Sequence, residues 1–133
     1  MGVAVIRDGG LLAEHIDALV AVLADFYSRA EGGEAVRQFG TVEAVAVNVL
    51  ENFEQTRSFI GQDGLDQARF DRIAAAARTF LERRDLFQQR IDEGRIRDCH
   101  GDLYSANICL ADKVYIYDCI EFNERFRYSD VAS

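Results

Sequence analysis

The sequence predicts a mainly α domain with one small β-hairpin, an α+β fold, on three observations. Apolar residues recur at helical spacing through the first two-thirds of the chain. The pattern ends at Gly94. Beyond it come two short runs of strand-forming residues, Asn107-Ile-Cys-Leu-Ala and Val114-Tyr-Ile-Tyr-Asp-Cys-Ile, separated by Asp112-Lys113.

Taken in order, Val3 to Ile6 is the one stretch before the first helix that reads as a strand. A first helix spans Ala13 to Ala30, with Ile16, Leu19, Val20, Leu23, Phe26 and Tyr27 on one face, and Gly32-Gly33 ends it. A second starts near Thr41, a suitable N-cap, with Val42, Val45, Val49, Leu50 and Phe53 on its stripe. A third runs from about Asp66 to Glu93, with Phe70, Ile73, Ala74, Ala77, Phe80, Leu81 and Phe87 inward and Gly94 as its C-terminal cap. The stripes read as core faces, so three long helices should pack around the hairpin. Residues 1–133 form one domain, helical over 11–94, long enough to bury roughly two-thirds of its unfolded surface.

Composition narrows the function. The 15 basic residues against 23 acidic ones give a net charge of −8. The arginines are scattered, so no basic face is offered to a nucleic acid. No apolar run approaches the ~20 residues of a membrane span. The N-terminus lacks a signal peptide's basic start and apolar centre, and Ile6 stands where a myristoylation signal has Ser or Thr. A cytoplasmic location is expected. Cys99, Cys109 and Cys119, ten residues apart, lack the paired spacing of a zinc site and read as small buried hydrophobes. A Cys99–His100 nucleophile pair is a poor candidate, because neighbours on a strand point to opposite faces.

The chemistry concentrates in CHGDLYSANICLADKVYIYDCIEF, from Cys99 to Phe122. His100, Asp102, Leu103 and Asn107 fit the H-x-D-L-x-x-x-N template of a kinase catalytic loop, with Gly101 in place of arginine. Asp118 follows at the end of the second strand. Phosphoryl transfer asks mainly for positioning and charge neutralisation. Asp102 can accept the proton of an attacking hydroxyl, and Asn107 and Asp118 offer the oxygen ligands Mg²⁺ prefers. Five fixed positions arise by chance on the order of once per several million windows, so coincidence is a weak explanation.

HGDLYSANICL followed by VYIYDCIEF resembles the aminoglycoside phosphotransferase family, a kinase-like fold acting on small molecules. RDCHGDLYSANIC and YDCIEFNERFRYSDVAS are similar to its uncharacterised bacterial branch, some of whose members carry a P-loop kinase domain. The resemblance is strong over Arg97 to Ser133 and looser over the helices. It implies that the chain is the helical C-terminal lobe of a kinase-like protein, with catalytic loop and metal-binding hairpin at 95–122. It further implies Asp102 as catalytic base, His100 as a brace of the loop, and Asn107 and Asp118 as magnesium ligands. Asp130 resembles an aspartate that opens the next helix and supports the loop from behind. Glu121 resembles an acidic residue that follows the metal aspartate. Tyr104 replaces a histidine common in the family, and Arg125 and Arg127 are candidates for a phosphate contact.

The nucleotide-binding N-terminal lobe should be absent: the chain holds one lysine, Lys113, and neither G-x-G-x-x-G nor a P-loop. Ser129 reads as an N-cap with Asp130 in the first helical turn, so 123–133 looks like the start of a truncated segment. The expectation is therefore a fragment of an ATP-dependent phosphotransferase acting on a small-molecule hydroxyl. The full-length parent would use Mg²⁺ and ATP; the fragment would bind neither tightly and would be inactive. Exposed apolar surface should drive it to a homodimer, by exchange of the segment after Phe122. The alternative is a non-catalytic kinase-like scaffold or accessory module to a fused partner domain. A metal-dependent hydrolase is a third reading, in which the motif's order has no meaning.

Overall fold

The computed structural model describes residues 9–62 and 64–132, so the strand candidate Val3 to Ile6 lies outside the described residues. Helix α1 (Ala13–Arg29) ends as Ala30 turns extended, its N–H still bonded to the Phe26 carbonyl. None of its side chains is buried, and Ile16, Val20 and Phe26 are exposed, Val20 by 58%. The expected inward stripe of α1 is thus corrected. An apolar stripe says that a helix needs a cover, and the described residues supply little beyond the edge of one strand. This open face predicts self-association of the isolated chain. Light scattering should show a species heavier than one chain that Val20→Glu disperses; a monodisperse wild-type monomer would remove the expectation.

Helix α2 (Glu34–Arg37) and a 3₁₀ turn at Gln38–Gly40 lead to Thr41. The Thr41 hydroxyl accepts from Ala44 N–H at 3.3 Å and so caps α3 (Val42–Thr56). Asp66 caps α4 (Gln67–Leu81) in the same way, its carboxylate accepting from Arg69 N–H at 2.7 Å. Phe53 of α3 meets Phe70 of α4 edge to face, with centroids 5.7 Å apart.

The single helix expected over 66–93 is two. Arg83 leaves helical geometry (φ −80°, ψ 60°) and α5 (Arg84–Asp92) restarts in a new direction. No glycine or proline marks the break. The restart lets Phe87 meet Phe80 edge-on at 5.7 Å and lays α5 along the 38–40 turn, so tertiary packing overrides local helix preference. Gly94, at φ +67°, closes α5: its own N–H bonds Ile91 O, and Arg95 N–H bonds Arg90 O at 2.9 Å.

Among the described residues, four short strands make two antiparallel pairs. The hairpin joins β2 (Ile108–Leu110) to β3 (Val114–Ile116), with Cys109 opposite Tyr115. The second pair joins β1 (Ile96–Asp98) to β4 (Tyr128–Asp130), which follows the single-turn helix α6 (Glu124–Arg127). Ser129 and Asp130 are therefore strand residues and not a helix cap and first turn. Their backbone faces β1, with Arg97 opposite Ser129 and Val131 N–H bonded to Arg95 O.

The buried apolar set is small: Val36, Val42, Phe70, Ala74, Ile96 and Cys99. Val36, Ile96 and Cys99 sit where α2 and the 38–40 turn cover β1, while Phe70 and Ala74 lie on α4, which packs against α3. A methyl group on Gly40 would lie 2.4 Å from Ile96 Cγ1, so glycine is what lets the turn rest on the strand. The cysteine reading holds for Cys99 alone; Cys109 is half-buried and Cys119, beyond the end of β3, is exposed. Among the described residues, no helix is long and apolar enough to cross a membrane.

Candidate functional site

The segment between β1 and the hairpin turns about His100, which is buried. Backbone N–H of Asp102 donates to His100 Nδ1 at 3.3 Å, so Nδ1 is the acceptor of the ring. The proton then belongs on Nε2, which lies 2.8 Å from the Tyr117 carbonyl oxygen and donates to it. The His100 carbonyl accepts from Ile120 N–H at 3.0 Å. One residue thus grips the chain on either side of Asp118 with ring and backbone, while its other ring nitrogen holds Asp102.

Asn107 completes the frame. It is buried, and its amide nitrogen donates to the Asp102 carbonyl at 3.0 Å, closing the loop on itself. Its own carbonyl accepts from Tyr117 N–H at 3.2 Å. Since Asp118 is the next residue along the chain, its Cα lies within roughly 10 Å of Asn107 Cα, given ~3.8 Å per residue. Asp118 is the one non-glycine residue with positive φ (+64°) among the described residues. Aspartate tolerates this left-handed conformation better than most residues, and here it bends the chain as it leaves β3.

The carboxylates of Asp102 and Asp118 are exposed, and neither forms an ion pair among the described residues. The set can offer a hard cation the Asn107 amide oxygen and the Asp118 carboxylate, one from each arm. Two oxygen donors suit Mg²⁺, which keeps water and phosphate on its remaining positions. Among the described residues, no cluster of three or more His, Cys, Asp or Glu side chains is grouped to hold a metal.

Gly101 has a firm reason to be glycine. Its φ is +85°, and a methyl group there would lie 2.8 Å from the Phe126 carbonyl oxygen and 3.2 Å from Ile120 Cβ. Where the kinase template has arginine, this chain presses its backbone against the 120–126 segment.

The remaining candidates fall outside this frame. Glu121 is exposed and lies beside Cys119, with Cys119 Sγ 4.0 Å from its Oε1. Asp130, on β4, accepts two hydrogen bonds from Arg90, at 2.7 and 2.8 Å. Arg125 pairs with Glu51, and Arg127 Nε lies 2.6 Å from Asp98 Oδ1, so both arginines are committed to carboxylates. Tyr104 is exposed. Burial pushes the Cys99 thiol above its ordinary value, which keeps it protonated and unsuited to nucleophilic work.

The Arg90 guanidinium, partly offset by burial, holds Asp130 below the ordinary carboxylate range. A depressed carboxyl pKa adds stability above the unfolded value of ~3.9 and loses it as pH falls through the folded value. Arg90→Gln should therefore lower the urea midpoint at pH 7 and match wild type in strong acid. An equal gap at both pH values would overturn the pairing as its cause.

Sequence reasoning missed Asn48, Glu51 and Arg90. Asn48 Nδ2 reaches the Arg125 carbonyl at 3.4 Å and Glu51 takes its guanidinium, so α3 holds the segment that presses on Gly101. A signal was available: Asn48 interrupts the valines of the α3 stripe, where a polar side chain needs a partner.

Uncharacterized proteins of Mycobacterium tuberculosis (Rv2004c and MT2060) and Mycobacterium bovis (Mb2027c) are each 35% identical to the chain over 117 residues. The similarity covers 86% of this chain and 23% of each relative, so the chain spans about a quarter of the length of the curated relatives it matches. No family model matches the chain, and no solved structure matches it.

Proposed function

We propose that the chain carries the catalytic loop and metal-binding hairpin of a kinase-like phosphotransferase, within what corresponds to that fold's helical C-terminal lobe. The observation that carries this reading is the grip of His100 on both arms: its ring ties Asp102 to the strand that delivers Asp118. The H-x-D-L-x-x-x-N order thereby acquires a mechanical meaning that a chance surface loop lacks.

In the proposed reaction the acceptor's hydroxyl oxygen bonds to the γ-phosphorus of ATP. The bridging P–O bond breaks, ADP leaves with the electron pair, and the hydroxyl proton passes to the Asp102 carboxylate. Mg²⁺ on Asn107 and Asp118 would neutralise charge on the phosphates. Asn107 also fixes Asp102 through its carbonyl, so one side chain sets both the cation arm and the base. With one lysine and no glycine-rich phosphate loop in its 133 residues, the chain by itself should bind Mg-ATP weakly.

The test is transfer of label from γ-labelled ATP to a panel of alcohols by a full-length protein carrying this segment. Phosphorylated alcohol supports the reading. A folded protein that consumes no ATP with any alcohol overturns it in favour of a scaffold.

A further inference from the structure

We infer that the cavity beside Asp102 receives a neutral, amphipathic alcohol and not a polycation. This inference rests on the phosphotransferase reading, whose acceptor it describes. The cavity measures about 1290 Å³ and lies between α3, α5 and the segment from Ile120 to Asp130, with Gly101 and Asp102 in its wall. Ligand pockets usually run to ~300–1,000 Å³, so this one has room for a bulky body.

Its charge balance points away from a cation. Three carboxylates line it: Glu51, Asp102 and Asp130. Arg125 neutralises Glu51 and Arg90 neutralises Asp130, and both arginines belong to the same lining. Asp102 remains, and phosphoryl transfer uses it for the proton. A ligand with several ammonium groups would bring each of them out of water against walls such as Phe39, Phe87 and Phe126, with no carboxylate to meet it. The same aromatic walls suit an apolar body.

Its unmet polar atoms point to a hydroxyl. Asn48 Oδ1 and Arg125 Nε are buried without a hydrogen-bond partner, and both residues line the cavity. They are neighbours, since Asn48 Nδ2 reaches the Arg125 carbonyl. One is an acceptor and the other a donor. A hydroxyl, which donates one hydrogen bond and accepts two, can answer either atom once its side chain turns toward the cavity, since both atoms are closed to solvent as they stand.

The experiment titrates the 133-residue chain, by ligand-observed NMR in physiological salt, with 4-nitrophenyl β-glucoside and with kanamycin. The first is a neutral aromatic polyol and the second a larger polycation. The glucoside should bind at least tenfold more tightly, and Asn48→Leu should weaken it severalfold. Gln55→Trp, at an exposed position on the cavity lining, should do the same by filling space, and serves if Asn48→Leu does not fold. Equal or tighter binding of kanamycin, binding of neither probe, or binding indifferent to both variants would overturn the inference. A preference for kanamycin leaves phosphotransfer standing with a cationic acceptor. Glucoside binding by a protein that transfers no phosphate instead sinks the phosphotransferase reading alone.

Discussion

Asp102→Asn in a full-length protein carrying this segment is expected to lower phosphotransfer by roughly 10²–10⁴-fold, the usual contribution of a positioned general base. The substitution is nearly isosteric and removes the carboxylate's charge and, with it, its proton affinity. Asp102 holds the loop through its backbone, whose N–H bonds His100 and whose carbonyl accepts from Asn107. Its carboxylate makes no hydrogen bond or ion pair among the described residues. Stability should therefore be unchanged, and so should KM for ATP, because the lost interaction belongs to the transition state. Turnover, KM and a urea midpoint on the same preparation give the answer. Full activity in the variant would remove Asp102 as the base; a lowered midpoint would show that the side chain has a structural task.

Gly101→Ala should destabilise the chain by roughly 2–4 kcal/mol, from left-handed backbone cost plus overpacking. The second contribution exceeds an ordinary φ penalty here because the nearest obstacle is the Phe126 carbonyl oxygen, a backbone atom that no rotamer change can move. Gly61 is the control. Its φ is +92°, but a methyl group there meets nothing within 4 Å, so Gly61→Ala should cost about 1 kcal/mol. Urea denaturation of both variants separates backbone strain from collision. Equal losses would mean that the 120–126 segment yields and does not constrain the catalytic loop.

Local chemistry was legible in the sequence and remote packing was not. Thr41 and Asp66 cap helices because a short polar side chain before an apolar stripe has a donor within reach. The hairpin followed from two β-rich runs with a polar turn. The break at Glu82–Arg83 was hidden among good helix formers, because Phe80, Phe87 and the 38–40 turn decide it. Ser129 looked like a cap because its pairing partner, Arg97, is 32 residues away. The stripe of α1 announced a need for burial without saying what would meet it. For the site, residue order picked out His100, Asp102, Asn107 and Asp118, which the fold strings onto one hydrogen-bonded frame. Nothing local tied Asp130 to Arg90, so its ion pair had to be seen.

The antiparallel contact of Ile96–Asp98 with Tyr128–Asp130 makes the intervening residues 99–127 a closed ring of chain. Closing a flexible ring of that length costs about 3 kcal/mol in conformational entropy, and a doubling of its length adds only about 0.6 kcal/mol. The Leu110–Val114 pair already shuts off the tip at Asp112-Lys113, so a length change there leaves this closure cost untouched and acts only on the short turn. The closure point has no such latitude, because its three residue pairs hold both ends of the segment whose internal bonds, His100 to Tyr117 and Asn107 to Asp102, make up the frame.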